Sequence, residues 1–129
     1  MKKKILIVED MQAVRNVIAN ALNEYEIVTA SYGLEALKIL DESPSSIDLV
    51  LSDYNMPNMS GMKLLTKIRK HANSDIADVP FIMLTTERDI KKKKKAKDAG
   101  LTDWIEKPYN YEVFKGKIRH ALNKSEKVK

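Results

Sequence analysis

Residues 4–10, Lys4-Ile5-Leu6-Ile7-Val8-Glu9-Asp10, decide the architecture: four apolar residues in a row, three of them β-branched, stop at two carboxylates. A strand with one wetted face would alternate polar and apolar side chains, so a run this uniform predicts a strand buried on both faces of a parallel sheet. Residues 47–51 and 79–84 have the same character, 26–30 supply a second strand and 102–105 a fifth. Between the strands the apolar period lengthens to that of a helix. Val14, Val17, Ile18, Ala21 and Leu22 fall at i, i+3, i+4, i+7 and i+8, one stripe along a helix. Ala36, Leu37 and Leu40 repeat it briefly. Leu64, Leu65 and Ile68 follow a candidate N-cap at Ser60, and Phe114, Ile118, Ala121 and Leu122 form the last stripe. Five strand–helix units in alternation predict an α/β fold: a five-stranded parallel sheet, helices on both faces, right-handed crossovers.

The 129 residues, 43% of them apolar, suffice for a single core. One domain is expected over 1–124, with 125–129 frayed. The absence of Cys excludes disulfides and thiolate metal sites, and the apolar run after Lys2-Lys3-Lys4 is too short for a signal peptide. A cytoplasmic protein that neither enters nor crosses a membrane is expected. The net charge of +5 is local, arising from Lys2–Lys4, the lysines of 91–97 and the tail after Asn123. These clusters lack neighbouring aromatics for stacking or a recognition helix, so they read as solvated faces and nucleic-acid binding is not expected.

In a parallel sheet the carboxyl ends of the strands open on one edge, where ligands bind. The polar residues of this chain gather there. Glu9 and Asp10 follow the first strand, Asp53 the third and Lys107-Pro108 the fifth, while Thr85 ends the fourth. Three carboxylates together repel one another unless a cation intervenes, and an all-oxygen donor set suits a hard ion, Mg²⁺ above all. Such an ion takes few protein oxygens, which leaves one carboxylate to act as nucleophile while the ammonium and the hydroxyl meet phosphoryl oxygens. Each residue alone has a plainer reading. Asp53 before Asn and Pro also marks a turn, Thr85 is an ordinary strand residue, Lys107-Pro108 is a common loop dipeptide, and Glu9-Asp10 favours the start of the next helix.

Taken in order, Val8-Glu9-Asp10, the segment 53–61 (Asp-Tyr-Asn-Met-Pro-Asn-Met-Ser-Gly), Met83-Leu84-Thr85-Thr86-Glu87 and Trp104-Ile105-Glu106-Lys107-Pro108 resemble the receiver domains of two-component response regulators. The resemblance covers nearly the whole chain and is nearest to the single-domain chemotaxis type. It implies a flavodoxin-like sheet of order 2-1-3-4-5. It implies Asp53 as phospho-acceptor, with Asp10, Asp53 and the backbone carbonyl of Asn55 as direct Mg²⁺ ligands and Glu9 acting through a water. Glu9 stands where Asp is commoner, which alters the water shell. Lys107 would pair with the phosphoryl oxygens and join Pro108 through a cis peptide. Thr85 would move toward the phosphoryl group, and Trp104 holds the place of an aromatic that then turns inward; a half-buried packing residue is its alternative. Asn55 and Glu87 would tune phosphoryl lifetime, and this pair implies a short one.

The resemblance implies a signalling switch, not an enzyme acting on outside substrates: a protein that catalyses only its own Mg²⁺-dependent phosphorylation and dephosphorylation. The donor would be a histidine kinase or phosphotransfer domain. The downstream protein target would dock on the face formed by the fourth helix, fifth strand and fifth helix. A phosphorelay intermediate and the receiver piece of a longer DNA-binding regulator are alternatives. A flavodoxin-like redox protein would want a glycine- and hydroxyl-rich loop where Glu9-Asp10-Met11-Gln12 stands, and a Mg²⁺-dependent hydrolase a second Asp where Asn55 stands. The fourth helix, beginning near Asp89, carries Lys91 to Lys95. Successive residues turn by about 100°, so some of these lysines must lay their stems inward. Its first turn is expected to be mobile until an acidic partner orders it.

Overall fold

The computed structural model describes residues 2–126, with side chains to Asn123. The strands are β1 (Lys4–Val8), β2 (Glu26–Ala30), β3 (Leu49–Ser52), β4 (Phe81–Thr85) and β5 (Asp103–Glu106). They form one parallel sheet of order β2-β1-β3-β4-β5, the expected topology. β3 and β4 begin two residues later than their apolar runs suggest, for local reasons. Before β3, the Asp48 carboxylate accepts the Lys4 N–H at 2.8 Å, and before β4 Pro80 has no N–H to give a ladder.

The helices are α1 (Gln12–Ala21), α2 (Gly33–Glu42), α3 (Gly61–Arg69), α4 (Ser74–Ala77), α5 (Ile90–Asp98) and α6 (Tyr111–Glu126). α4 is a single turn that the sequence reading missed, started by the Asn73 side chain accepting the Asp75 N–H. The fourth and fifth helices expected from sequence are therefore α5 and α6. The tail expected to fray lies, from 127 onward, outside the described residues.

Strand side chains alternate between two cores. Leu6, Val8, Val50, Phe81 and Met83 pack against α2, α3, α4 and the buried Ala96 of α5. Ile5, Ile7, Leu49, Leu51, Ile82 and Leu84 pack against Ile18 and Leu22 of α1 and Phe114, Ile118, Ala121 and Leu122 of α6. One position departs from the stripe: Val17 is 63% exposed, because the buried arc of α1 is narrower than the full i, i+3, i+4 pattern. Ser60 caps α3, its side chain accepting the Lys63 N–H at 3.1 Å.

α5 is capped by Asp89, whose carboxylate accepts the Lys91 N–H at 2.8 Å. Lys92 and Lys93 are the lysines that turn inward, reaching Glu87 at 2.9 Å and Glu106 at 3.0 Å. The sequence puts no aromatic beside them, but the fold does: Lys92 Nζ lies 5.4 Å from the Tyr54 ring centre and Lys93 Nζ 5.9 Å from that of Trp104. Among the described residues no helix is long and apolar enough to cross a membrane.

Candidate functional site

β1 and β3 are central neighbours, and the chain leaving each of them stays on the sheet for one residue more. The Glu9 N–H donates to the Ala30 carbonyl and the Asp53 N–H to the Val8 carbonyl, both at 3.1 Å. Glu9 is thereby carried inward, 3% exposed. Its Oε2 accepts the Met11 N–H at 3.1 Å, and Arg15 Nη1 donates to its carbonyl at 2.8 Å. Asp10 follows on the exposed side. Asp53 Oδ1 accepts the backbone N–H groups of Tyr54 at 2.6 Å and Asn55 at 3.3 Å. One carboxylate oxygen from each of Glu9, Asp10 and Asp53 lies within 4.8 Å of the other two.

The loop after Asp53 is shaped by Gly61. Its N–H donates to the Tyr54 carbonyl at 2.7 Å, and a Cβ at this position would collide with the Asp53 carbonyl oxygen. Only glycine lets α3 start so close beneath the loop that follows Asp53.

Two more segments reach the edge. The Lys107 N–H extends β5 by donating to the Thr85 carbonyl at 2.9 Å; its Nζ lies 3.6 Å from Glu9 Oε1, and its bond to Pro108 is cis. Thr85 is fully buried, and its hydroxyl oxygen accepts the Glu87 N–H at 3.1 Å. Burial raises the Glu9 carboxyl above its ordinary range; contact with Asp10 and the Asp53 charge push the same way, against the Met11 N–H and Lys107. Glu87 is lowered, chiefly by its hydrogen bond from Lys92. Three crowded carboxylates offer the all-oxygen donors that a hard divalent cation favours, while the Lys107 ammonium beside them is suited to an anion.

Trp104 is half-buried. Its ring stands 5.7 Å from that of Tyr54, and its Nε1, buried, has no hydrogen-bond partner among the described residues. It helps line a groove of about 590 Å³ between α5 and β5, with Ile90, Lys93, Lys94, Lys97 and Leu101 among the other walls. Sequence reasoning missed three residues that shape the site. Arg15 holds the Glu9 carbonyl; Arg88 donates to the Lys107 carbonyl at 3.0 Å and to Glu106 at 3.2 Å; Lys92 holds Glu87. The sequence flags only that some lysine of 91–95 turns inward; which one, and the partners of all three, come together only through the fold.

The architecture and its acidic edge define a class, the doubly wound α/β domains whose strand ends carry a phosphate- or metal-directed site. The family model for the response regulator receiver domain matches residues 5–119, and the chain belongs to that family of two-component signalling proteins, which are not classical enzymes. It is 33% identical over 122 residues to a chemotaxis protein CheY homolog of Campylobacter jejuni, covering 92% of each chain. It is 34% identical to chemotaxis protein CheY1 of Helicobacter pylori, covering 92% of this chain and 96% of that one. Among solved structures, a response regulator receiver domain protein from Clostridium thermocellum superposes with a TM-score of 0.89 at 29% identity, over 98% of this chain and 99% of that one. Chemotaxis protein CheY4 of Vibrio cholerae gives 0.84 at 32% identity, over 94% and 99%.

Proposed function

We propose that this chain is a chemotaxis-type signalling switch, taking a phosphoryl group onto Asp53 from a histidine kinase or phosphotransfer domain in the cytoplasm. The observation that carries the reading is the meeting of Glu9, Asp10 and Asp53 within 4.8 Å at an edge that also holds Lys107 and Thr85. With Oδ1 of Asp53 engaged by two backbone N–H groups, its other oxygen is the one free to attack. The new O–P bond forms as the P–N bond of the donor's phosphohistidine breaks, and the leaving imidazole takes up a proton. Mg²⁺, held by Asp10, Asp53 and the Asn55 carbonyl with Glu9 acting through water, would neutralise phosphoryl charge. Lys107 Nζ, already turned to this edge, would shift from Glu9 to a phosphoryl oxygen. The Thr85 hydroxyl accepts from Glu87 and so has its own proton to donate.

The output face of the reading is α5, β5 and α6. What supports it is the groove beside Trp104, whose wall sets Lys93, Lys94 and Lys97 against Asp98 and Asp103 with Ile90 and Leu101 between, a mixed surface with a small basic excess that suits a protein partner. Trp104, with its unpartnered Nε1, is the residue expected to change place when Thr85 moves. A second reading, the receiver portion of a longer regulator, is favoured by one comparison. The chain is 34% identical to the probable transcriptional regulator ycf27 of Cyanophora paradoxa, of which it spans half.

Intact-mass analysis after incubation with Mg²⁺ and acetyl phosphate tests the reading. Wild type should gain one phosphoryl group, Asp53→Asn none, and neither should gain one with the divalent ion chelated. Phosphorylation of Asp53→Asn to the wild-type extent would refute it.

A further inference from the structure

Lys92 leaves the first turn of α5 and reaches back over the mouth of the site. Its Nζ meets Glu87 Oε1 at 2.9 Å and lies 5.4 Å from the ring centre of Tyr54, the residue after Asp53. Glu87 is held from other sides as well. Its Oε2 accepts the backbone N–H groups of Arg88 and Asp89, each at 3.2 Å, and its own N–H is bound to the Thr85 hydroxyl at 3.1 Å. The result is a carboxylate side chain only 18% exposed in a loop whose neighbours Thr86 and Arg88 are exposed. Asn55 stands between this carboxylate and Asp53: its backbone N–H donates to Asp53 Oδ1 at 3.3 Å, and its side chain adds a small share to the lowering of Glu87.

A phosphoryl group on Asp53 adds negative charge beside a second anion. Like charges at short range raise the energy of the phosphorylated state unless one of them is neutralised. Lys107 pairs with Glu9; the ammonium in contact with Glu87 is that of Lys92. We propose that Lys92 is a positioning residue for the phosphoryl reaction: by pinning and neutralising Glu87 against Asn55, it eases the entry of an anionic donor and prolongs the phosphorylated state. The inference rests on Asp53 being the acceptor. Without the ammonium, Glu87 keeps its full charge and is free to swing toward the phosphoryl oxygens. Repulsion then opposes the donor's approach and is relieved when the group leaves.

The experiment follows phosphorylation by acetyl phosphate and Mg²⁺, and decay after donor removal, by intact mass. The proteins are wild type, Lys92→Ala, Lys92→Arg, Glu87→Gln and Lys92→Ala in the Glu87→Gln background. Lys92→Ala should raise KM for acetyl phosphate and shorten the half-life, each about two- to fivefold, the scale of a partly exposed ion pair. Lys92→Arg should restore wild-type behaviour, and Lys92→Ala should change nothing once Glu87 is Gln. A Lys92→Ala half-life and KM equal to wild type, or changes of the same size in the Glu87→Gln background, would overturn the role of Lys92 and leave Asp53 as acceptor. Failure of wild type itself to gain a phosphoryl group would overturn both.

Discussion

Lys107 Nζ stands 3.6 Å from Glu9 Oε1, although the strands these residues follow, β5 and β1, are separated in the sheet by β3 and β4. The contact spans the active edge and sets an ammonium against the carboxylate cluster. It does not offset the crowding, since Glu9 stays above its ordinary range through burial, with the Asp53 charge adding to it.

Removing one of the three charges should therefore stabilise the metal-free domain. Asp53→Asn keeps an oxygen to accept the Tyr54 N–H and is expected to gain about 1 kcal/mol in urea unfolding without divalent ions. Mg²⁺ at ten times its Kd should stabilise wild type by about 1.4 kcal/mol and close the gap. Equal stability of the two proteins in chelator would show that the cluster carries no repulsive cost.

Gly61→Ala tests the close approach of α3 to the loop that follows Asp53. The added methyl meets the Asp53 carbonyl, which cannot retreat without moving the end of β3, and the Met83 sulfur, which a flexible side chain can shift. A loss of about 2 kcal/mol is expected in urea unfolding, together with slower phosphorylation by acetyl phosphate. A variant as stable and as fast as wild type would contradict the tight contact.

Trp104→Phe removes an indole N–H that has no partner while keeping an aromatic against Tyr54. Truncating a well-satisfied tryptophan costs several kcal/mol, but here the loss of packing is partly offset by removing an unpaired donor, so a net change within about 1 kcal/mol is expected. Wild-type tryptophan fluorescence, which comes from this residue alone, should shift on phosphorylation. A silent signal would leave Trp104 as packing only.

On the opposite face of the sheet, Lys115 of α6 is largely buried, bonding Glu24 and donating to the Ala21 carbonyl at 3.3 Å. The hydrogen bond from Lys115 lowers the Glu24 carboxyl from 4.5. Lys115 is opposed by burial but raised from 10.5 by the Glu24 contact. A depressed carboxylate stabilises above its unfolded value and loses that contribution as pH falls through its folded one; a raised lysine does so below its unfolded value and loses it as pH rises through its folded one. Lys115→Met should thus cost about 1 kcal/mol near neutrality, with the difference shrinking below pH 4.5 and above pH 10.5. A deficit independent of pH would assign the effect to packing.

The sheet was legible because Ile5 to Val8 and their counterparts are apolar without alternation, which only a strand covered on both faces explains. α4 was not, since a single turn offers no period to detect. Val17 was misplaced because a periodic stripe marks the centre of a buried arc better than its margins. Glu9, Asp10 and Asp53 could be singled out as polar residues at strand ends, while their roles came from the family's motifs. Lys92 and Arg88 could not: the turn of the helix required some lysines of 91–95 to point inward but not which, and only the fold shows that Lys92 finds Glu87, Lys93 Glu106 and Arg88 the Lys107 carbonyl.

The ladder between β1 and β3 joins segments far apart in the chain: the Lys4 N–H meets Asp48 across 44 residues, and the Asp53 N–H closes the other end on Val8. Such pairing is assembled only after a long loop has closed, at an entropic cost met before its contacts exist. The acidic trio is therefore absent from the unfolded chain and from any partly built sheet lacking β3. On the proposed reading, a copy that has not yet paired β3 with β1 would have no assembled carboxylates to offer a metal ion or a phosphodonor. Phosphorylation of Asp53, on that reading, would certify that the domain is complete.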